Sequence, residues 1–198
     1  MANGRVITGY SQPYVALYTN TGGTVTYSSG QALARGVDVS ISPEAADATP
    51  FYADNTVAEQ AGGGFTGGTV TLTVDGLKGA AQKLIMGLPA ASTVTVGQDT
   101  VNINDFGDGM DIPYVGIGFI VRYMEDGVTT YDAVVLTKTR FSVFGTEAAT
   151  QEDAIAFQTQ SLEATIYKDD TANHNWKSVS DPQTTEAAAL AVIQALLA

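Results

Sequence analysis

The chain has 198 residues, 44% of them hydrophobic and 15% charged, which is enough for one sizeable core and too short for two full enzymatic domains. Nine Lys and Arg against 21 Asp and Glu leave a formal charge of −12, which opposes any protein that grips nucleic acid by neutralising phosphates. With no cysteine, disulfide scaffolds, thiolate metal sites and thiol nucleophiles are excluded together.

The opening MANGRVITGYSQP lacks the apolar stretch of a signal peptide, and no segment approaches the ~20 apolar residues of a membrane helix. The expectation is a soluble chain without membrane insertion, made in a cytoplasm and leaving it only as part of a larger particle. From Arg35 to Ser42, Val37, Val39 and Ile41 alternate with Asp38, Ser40 and Ser42, which predicts a half-buried strand. Pro43 to Gly68 follows with weak periodicity, including PFYADN and the Gly-rich GGGFTGG. It reads as a flexible loop, longer than the ~12–15 residues beyond which a structureless connection calls for a functional explanation. Thr69 to Val74 is a second alternating strand, with Val70, Leu72 and Val74 opposing Thr69, Thr71 and Thr73.

Gly76 to Gly87 carries Leu77, Ala80, Ala81, Leu84 and Ile85 at helical spacing, which predicts a short amphipathic helix over a sheet. The acidic stretch Asp99, Asn102, Asn104, Asp105, Asp108, Asp111 does not have the spacing of a calcium loop and reads as a solvated turn. Pro113 to Met124 and Val128 to Thr139 predict a long hairpin around Glu125, Asp126 and Gly127, because an Asp-Gly pair supplies the positive φ that a tight hairpin turn requires. Its body, VGIGFIV and AVVL, is apolar on both faces. That suits either a sheet continued by neighbouring copies or a hairpin folded over its own sandwich.

Ser161 to Lys168 predicts a last strand, with Leu162, Ala164 and Ile166 inward. His174 is the only histidine and lies in a polar stretch, DDTANHNW, with no G-x-S-x-G elbow anywhere to serve. Thr184 to Ala198 predicts a helix apolar almost all round, with Pro182 in its first turn, too short to span a bilayer and requiring burial in this subunit or against a partner. The whole predicts a mainly β fold, a β-sandwich or partial barrel in a single domain 1–198. Residues 183–197 form a C-terminal helix that stands as an appendage or packs on the domain.

Three pieces occur in the same order as in a known family. They are VDVSISPEAADATPFYADN, GGTVTLTVDGL after a Gly-containing loop, and YVGIGFIVRYMEDGVTTYDAVVLTKTRFSVFGTEAATQEDAIAFQTQSLEATIY. Across roughly residues 4 to 170 the chain resembles the major tail proteins of long, non-contractile-tailed phages of Gram-positive bacteria. ATPFYADN is the more specific piece, followed by the hairpin, its Thr-Glu-rich connection and QTQSLEATIY. From Asp170 onward nothing carries over.

The resemblance implies hexameric rings of a tail-tube fold, stacked into the virion's tail tube through which the genome enters the host. Each subunit would contribute strands to a continuous inner barrel, with tape measure and tail terminator proteins as further partners. Double-stranded DNA would pass without tight binding. The loop bearing Phe51, Tyr52, Asp54, Asn55, Gly62, Gly63, Gly64 and Phe65 would contact an adjacent ring or subunit, and the loop and the long hairpin would serve surfaces other than the chain's own core. Shortening Ala61 to Gly68 would then spare folding and stop polymerisation. The small hydroxyl-bearing face of Ser40, Ser42, Thr69, Thr71 and Thr73 is equally a lumen wall or the ordinary outer face of a sandwich. No catalytic, metal or cofactor site is expected. The competing readings are a monomeric β-sandwich binding carbohydrate through Trp176 and Tyr167, and a carboxylate-dependent hydrolase.

Overall fold

The computed structural model describes residues 4–146, 148–150 and 157–198. The first two strands, β1 (Val6–Thr21) and β2 (Thr24–Ala32), form a hairpin whose turn is Gly22-Gly23, with φ of 61° and 86°. Positive φ at both central residues matches the right-handed twist of paired strands, and glycine adopts it without steric cost. β3 (Gly36–Ala45), β4 (Thr49–Ala53), β5 (Thr56–Ala61) and β6 (Phe65–Val74) follow, then helix α1 (Gly79–Met86). β7 (Ser92–Val96) and β8 (Asp99–Ile103) make a small hairpin before the long one, β9 (Val115–Glu125) and β10 (Val128–Phe141). β11 (Gln160–Tyr167), β12 (Lys177–Val179) and helix α2 (Glu186–Leu196) complete the chain.

The molecule is mainly β. Eight strands form one antiparallel sheet in the order β2-β1-β9-β10-β11-β6-β3, with β12 paired to β10. β10 belongs to two halves of that sheet. Val128 to Leu136 pair with β9, the register slips between Leu136 and Thr139, and Lys138 to Phe141 pair with β11. The bend folds the sheet over on itself. Val15, Ile117, Phe119 and Leu136 from one half share a core with Val70, Leu72, Leu162 and Ile166 from the other, none more than 1% exposed. α1 adds Ala81, Ile85 and Met86 to this core.

α2 packs on the outer face of β1, β9 and β10, where Ala189, Ile193 and Leu197 meet Ala16, Ile120, Ala133 and Val135. Gly116 and Gly118 make this possible. A Cβ at Gly116 would lie 2.5 Å from Leu197, and one at Gly118 would collide with the Cγ2 of Ile193. The C-terminal helix is therefore docked on its own chain. Its N-cap is Thr185, whose Oγ1 accepts from the Ala188 N–H at 3.2 Å, so Pro182 precedes the helix rather than entering its first turn. Gln183 instead makes a bridge to Tyr131.

The strands at Thr69 to Val74 and Ser161 to Lys168 occur as expected, with Val70, Leu72, Val74, Leu162, Ala164 and Ile166 fully buried. α1 starts later than periodicity suggested, because Lys78 offers no side-chain cap and Leu77 packs from outside the helix. Three expectations need correction. The long hairpin is the centre of the sheet, not an open edge: β9 pairs with β1, and β10 with β11 and β12. Its two apolar faces are covered by the shared core on one side and α2 on the other.

The supposed loop after β3 is instead a two-stranded ribbon, β4–β5, with backbone pairing from Thr49↔Ala61 to Ala53↔Thr56. Part of the acidic stretch is likewise strand β8, paired to β7. The Thr-Glu-rich connection after the hairpin falls partly on Glu147 and residues 151–156, which lie outside the described residues.

Candidate functional site

Strand register decides which predicted residues share a surface. In β3, β6 and β11, Asp38, Thr73 and Ser161 lie side by side, as do Ser40, Thr71 and Glu163, and Ser42, Thr69 and Thr165. The five hydroxyl residues expected to line one wall do therefore fall on one face of one sheet. Two-residue alternation places them there, while the intervening Val70, Leu72 and Val74 fill the core.

The face also carries acids. Glu44 stands opposite Gly67 in the same row pattern, so the acids Asp38, Glu44 and Glu163 accompany the hydroxyls. Lys138 and Arg140 border it on β10, opposite Tyr167 and Thr165. Both cations are engaged within the chain. Lys138 Nζ donates to Asp170 at 2.7 Å, and Arg140 Nε donates to the Ile112 carbonyl at 3.0 Å. The surface thus offers scattered hydroxyls and carboxylates, and its bordering cations are not arrayed for a phosphate backbone.

Asp170 also accepts from the Tyr18 hydroxyl at 2.8 Å, tying the segment after β11 back to β1. The Lys138 hydrogen bond, seconded by that of Tyr18, holds the Asp170 carboxyl below the usual carboxylate range. Burial pushes the Tyr18 phenol up to about 12.

The second feature is the ribbon β4–β5. Asp54 and Asn55 form its turn with φ of 51° and 60°, values Asp and Asn tolerate better than most residues, and Thr56 Oγ1 donates to the Ala53 carbonyl at 3.1 Å. Phe51, Tyr52 and Val57 are 65%, 63% and 54% exposed, and Tyr52 and Val57 face each other across the strands. At the base, the Ala46 N–H donates to the Gly64 carbonyl at 2.9 Å. Gly62 has a φ of 123°, and a Cβ there would lie 2.7 Å from the Asp47 carbonyl oxygen.

Phe65 does not belong to the exposed set. It begins β6 and stacks on Trp176 with centroids 4.3 Å apart and planes 6° from parallel. Excising Ala61 to Gly68 would therefore cut into β6 and this stack. The same stack takes one face of Trp176, while Tyr167 lies edge-on to Tyr114, so the two aromatics proposed as a sugar platform belong to different pairs.

The other sequence candidates are dispersed. Glu125, Asp126 and Gly127 form the exposed turn between β9 and β10, with φ of 48° and 79° at Asp126 and Gly127. His174 sits in an exposed turn, its Nδ1 3.2 Å from the Asp169 carbonyl. Among the described residues no group of three or more His, Cys, Asp or Glu is placed to hold a metal ion, and no helix is long and apolar enough to cross a membrane.

Two features escaped the sequence. One is a groove of about 430 Å³ between the N-terminal half of β1 and β3, lined by Ile7, Tyr10, Val37, Val39, Phe119 and Lys177 among others. Val37 lines it together with Val39 and Ile41, on the one face that the alternation from Arg35 to Ser42 assigns them, and stays 53% exposed where the groove is open. The other is the β7–β8 hairpin, where Val94, Val96, Val101 and Ile103 share one exposed face. Its alternating STVTV and DTVNI were readable, as was the Gly22-Gly23 turn. Compared with known proteins, the chain matches no family model and no curated protein.

Proposed function

We propose that this protein is a structural subunit that polymerises with its own copies into stacked rings, forming a phage tail tube that conveys double-stranded DNA without holding it. The observation that carries this reading is the β4–β5 ribbon. An isolated two-stranded ribbon is marginal in water, yet this one extends from β3 and β6 with Phe51, Tyr52 and Val57 exposed and no core of its own. At ~3.3 Å per residue, its reach from Ala46 to Asp54 is ~30 Å, enough to engage a neighbouring molecule. Side chains of this kind are costly to leave wet and are what a protein contact uses.

Two further observations support the reading. The path of the main sheet ends in β2 and β3, so strand edges are available for lateral association. The Ser/Thr face with Asp38, Glu44 and Glu163 suits a wall past which a polyanion moves, since an array of free cations would retain it. Ring closure and stacking each join one patch to a different patch on the next copy, a heterologous contact that demands devices beyond the subunit's own core. The hexameric count, the tail location and the tape measure and terminator partners rest on the family resemblance. The role is structural, with no reaction assigned.

The test is size-exclusion chromatography and negative-stain microscopy of the purified chain at rising concentration. Rings or tubes of uniform diameter are expected. A species that stays monomeric at every concentration overturns the proposal.

A further inference from the structure

We propose that the groove between β1 and β3 is the socket that receives the β4–β5 ribbon of a second copy, with Tyr52 and Val57 seated inside it. This rests on the polymer reading above and names its contact.

The socket is an open groove with a mostly apolar lining. Beneath the groove the Tyr10 hydroxyl is buried without a hydrogen-bond partner among the described residues. Its ring lies edge-on against Phe119, with centroids 5.6 Å apart. Around it the lining is mostly apolar, while Ile7 and Val37 stay 64% and 53% exposed at the rim. The groove's volume of about 430 Å³ falls in the range of ~300–1,000 Å³ that holds compact ligands.

The ribbon has what the socket lacks. Tyr52 and Val57 form one cross-strand apolar knob, suited to a mostly apolar lining. The ribbon's acids Asp54 and Glu59 can pair with Lys177 of the lining, which also holds the acid Asp38. A chain cannot fill its own socket with this knob. The ribbon continues from the Ala45 end of β3, whereas the socket lies along Val37 to Ile41, toward the strand's other end. Knob and socket are different patches, so each joined copy presents a free knob and a free socket, and the assembly propagates.

The absence of cysteine makes the test clean. Tyr52→Cys and Val37→Cys are prepared as separate proteins, mixed, and oxidised mildly. The expected product is a mixed disulfide dimer, at least ten-fold in excess over either homodimer. Non-covalently, Tyr52→Ala/Val57→Asp and Val37→Glu should each fail to form tubes. Folding is checked by matching thermal melts. If wild type polymerises but mixed disulfides do not exceed homodimers, the socket is wrong and the polymer reading stands. If wild type remains monomeric while the mixed disulfide forms, the polymer reading falls and the contact stands. If neither occurs, both are overturned.

Discussion

Two hairpins of this chain share a turn chemistry and have opposite fates. β9–β10 turns at Asp126-Gly127 and β4–β5 at Asp54-Asn55, each pair in positive φ. The body of the first is buried on both faces by its own chain, whereas nearly every residue of the second is exposed. The apolar hairpin looked like the element awaiting a partner, and the polar, Gly-flanked segment looked like a slack loop. Apolarity on both faces marks a central strand with material above and below it. Isolated aromatics beside acids, on an ordered ribbon with no core, are what the proposed function assigns to a neighbouring copy.

The comparison can be broken most decisively at the ribbon. Replacing residues 47–63 with an Asn-Gly turn preserves the Ala46 and Gly64 anchors. It is expected to abolish tubes in negative-stain images while leaving the urea midpoint within about 0.5 kcal/mol of wild type in stability, as surface changes usually do. A large loss of stability would show that the ribbon belongs to the fold.

The central hairpin should respond in the opposite sense. Gly118→Ala drives a Cβ into Ile193, and overpacking of this kind costs about 1–3 kcal/mol. Pairing it with Ile193→Ala should recover part of that cost, giving a double mutant more stable than the sum of the singles by urea denaturation. Strict additivity would mean that α2 does not set the space above Gly118.

The smallest effect sharpens the comparison by showing how the subunit closes without the ribbon. Asp170 is held below the ordinary carboxylate range by Lys138 and then Tyr18, so its contribution is present above about pH 3.9 and is lost as pH falls through its depressed folded value. Asp170→Asn should flatten that acid limb by less than about 1 kcal/mol, since the carboxylate is partly exposed. Some acid sensitivity should persist, because Arg35 depresses Asp75 in the same direction. An unchanged acid limb in chemical denaturation from pH 2 to 6 would count against the ion pair.

Much of this architecture was legible in the residues. The alternation of Val70, Leu72 and Val74 with Thr69, Thr71 and Thr73, and of Leu162, Ala164 and Ile166 with Glu163 and Thr165, was enough to separate core from surface. Period two assigns faces whatever the neighbouring strand is. Asp126-Gly127 located the long hairpin because few residues adopt that turn. By contrast, PFYADN and GGGFTGG hid a ribbon, since Pro50, Ala53 and three consecutive glycines dilute every periodic signal, and a register slip in β5 disturbs what remains.

The sequence by itself determined a mainly β chain, the two faces of β6 and β11, the position of the long hairpin and the existence of a C-terminal helix. Only the tertiary structure decided who covers whom. An apolar run is equally satisfied by its own chain or by a neighbour, because burial is non-directional. Here Gly116 and Gly118 opened the space into which α2 settled, and the separation of β1 from β3 left the apolar face at Val37 as the rim of a groove. Each depends on atoms brought together from distant parts of the chain, and local patterning carries no record of them.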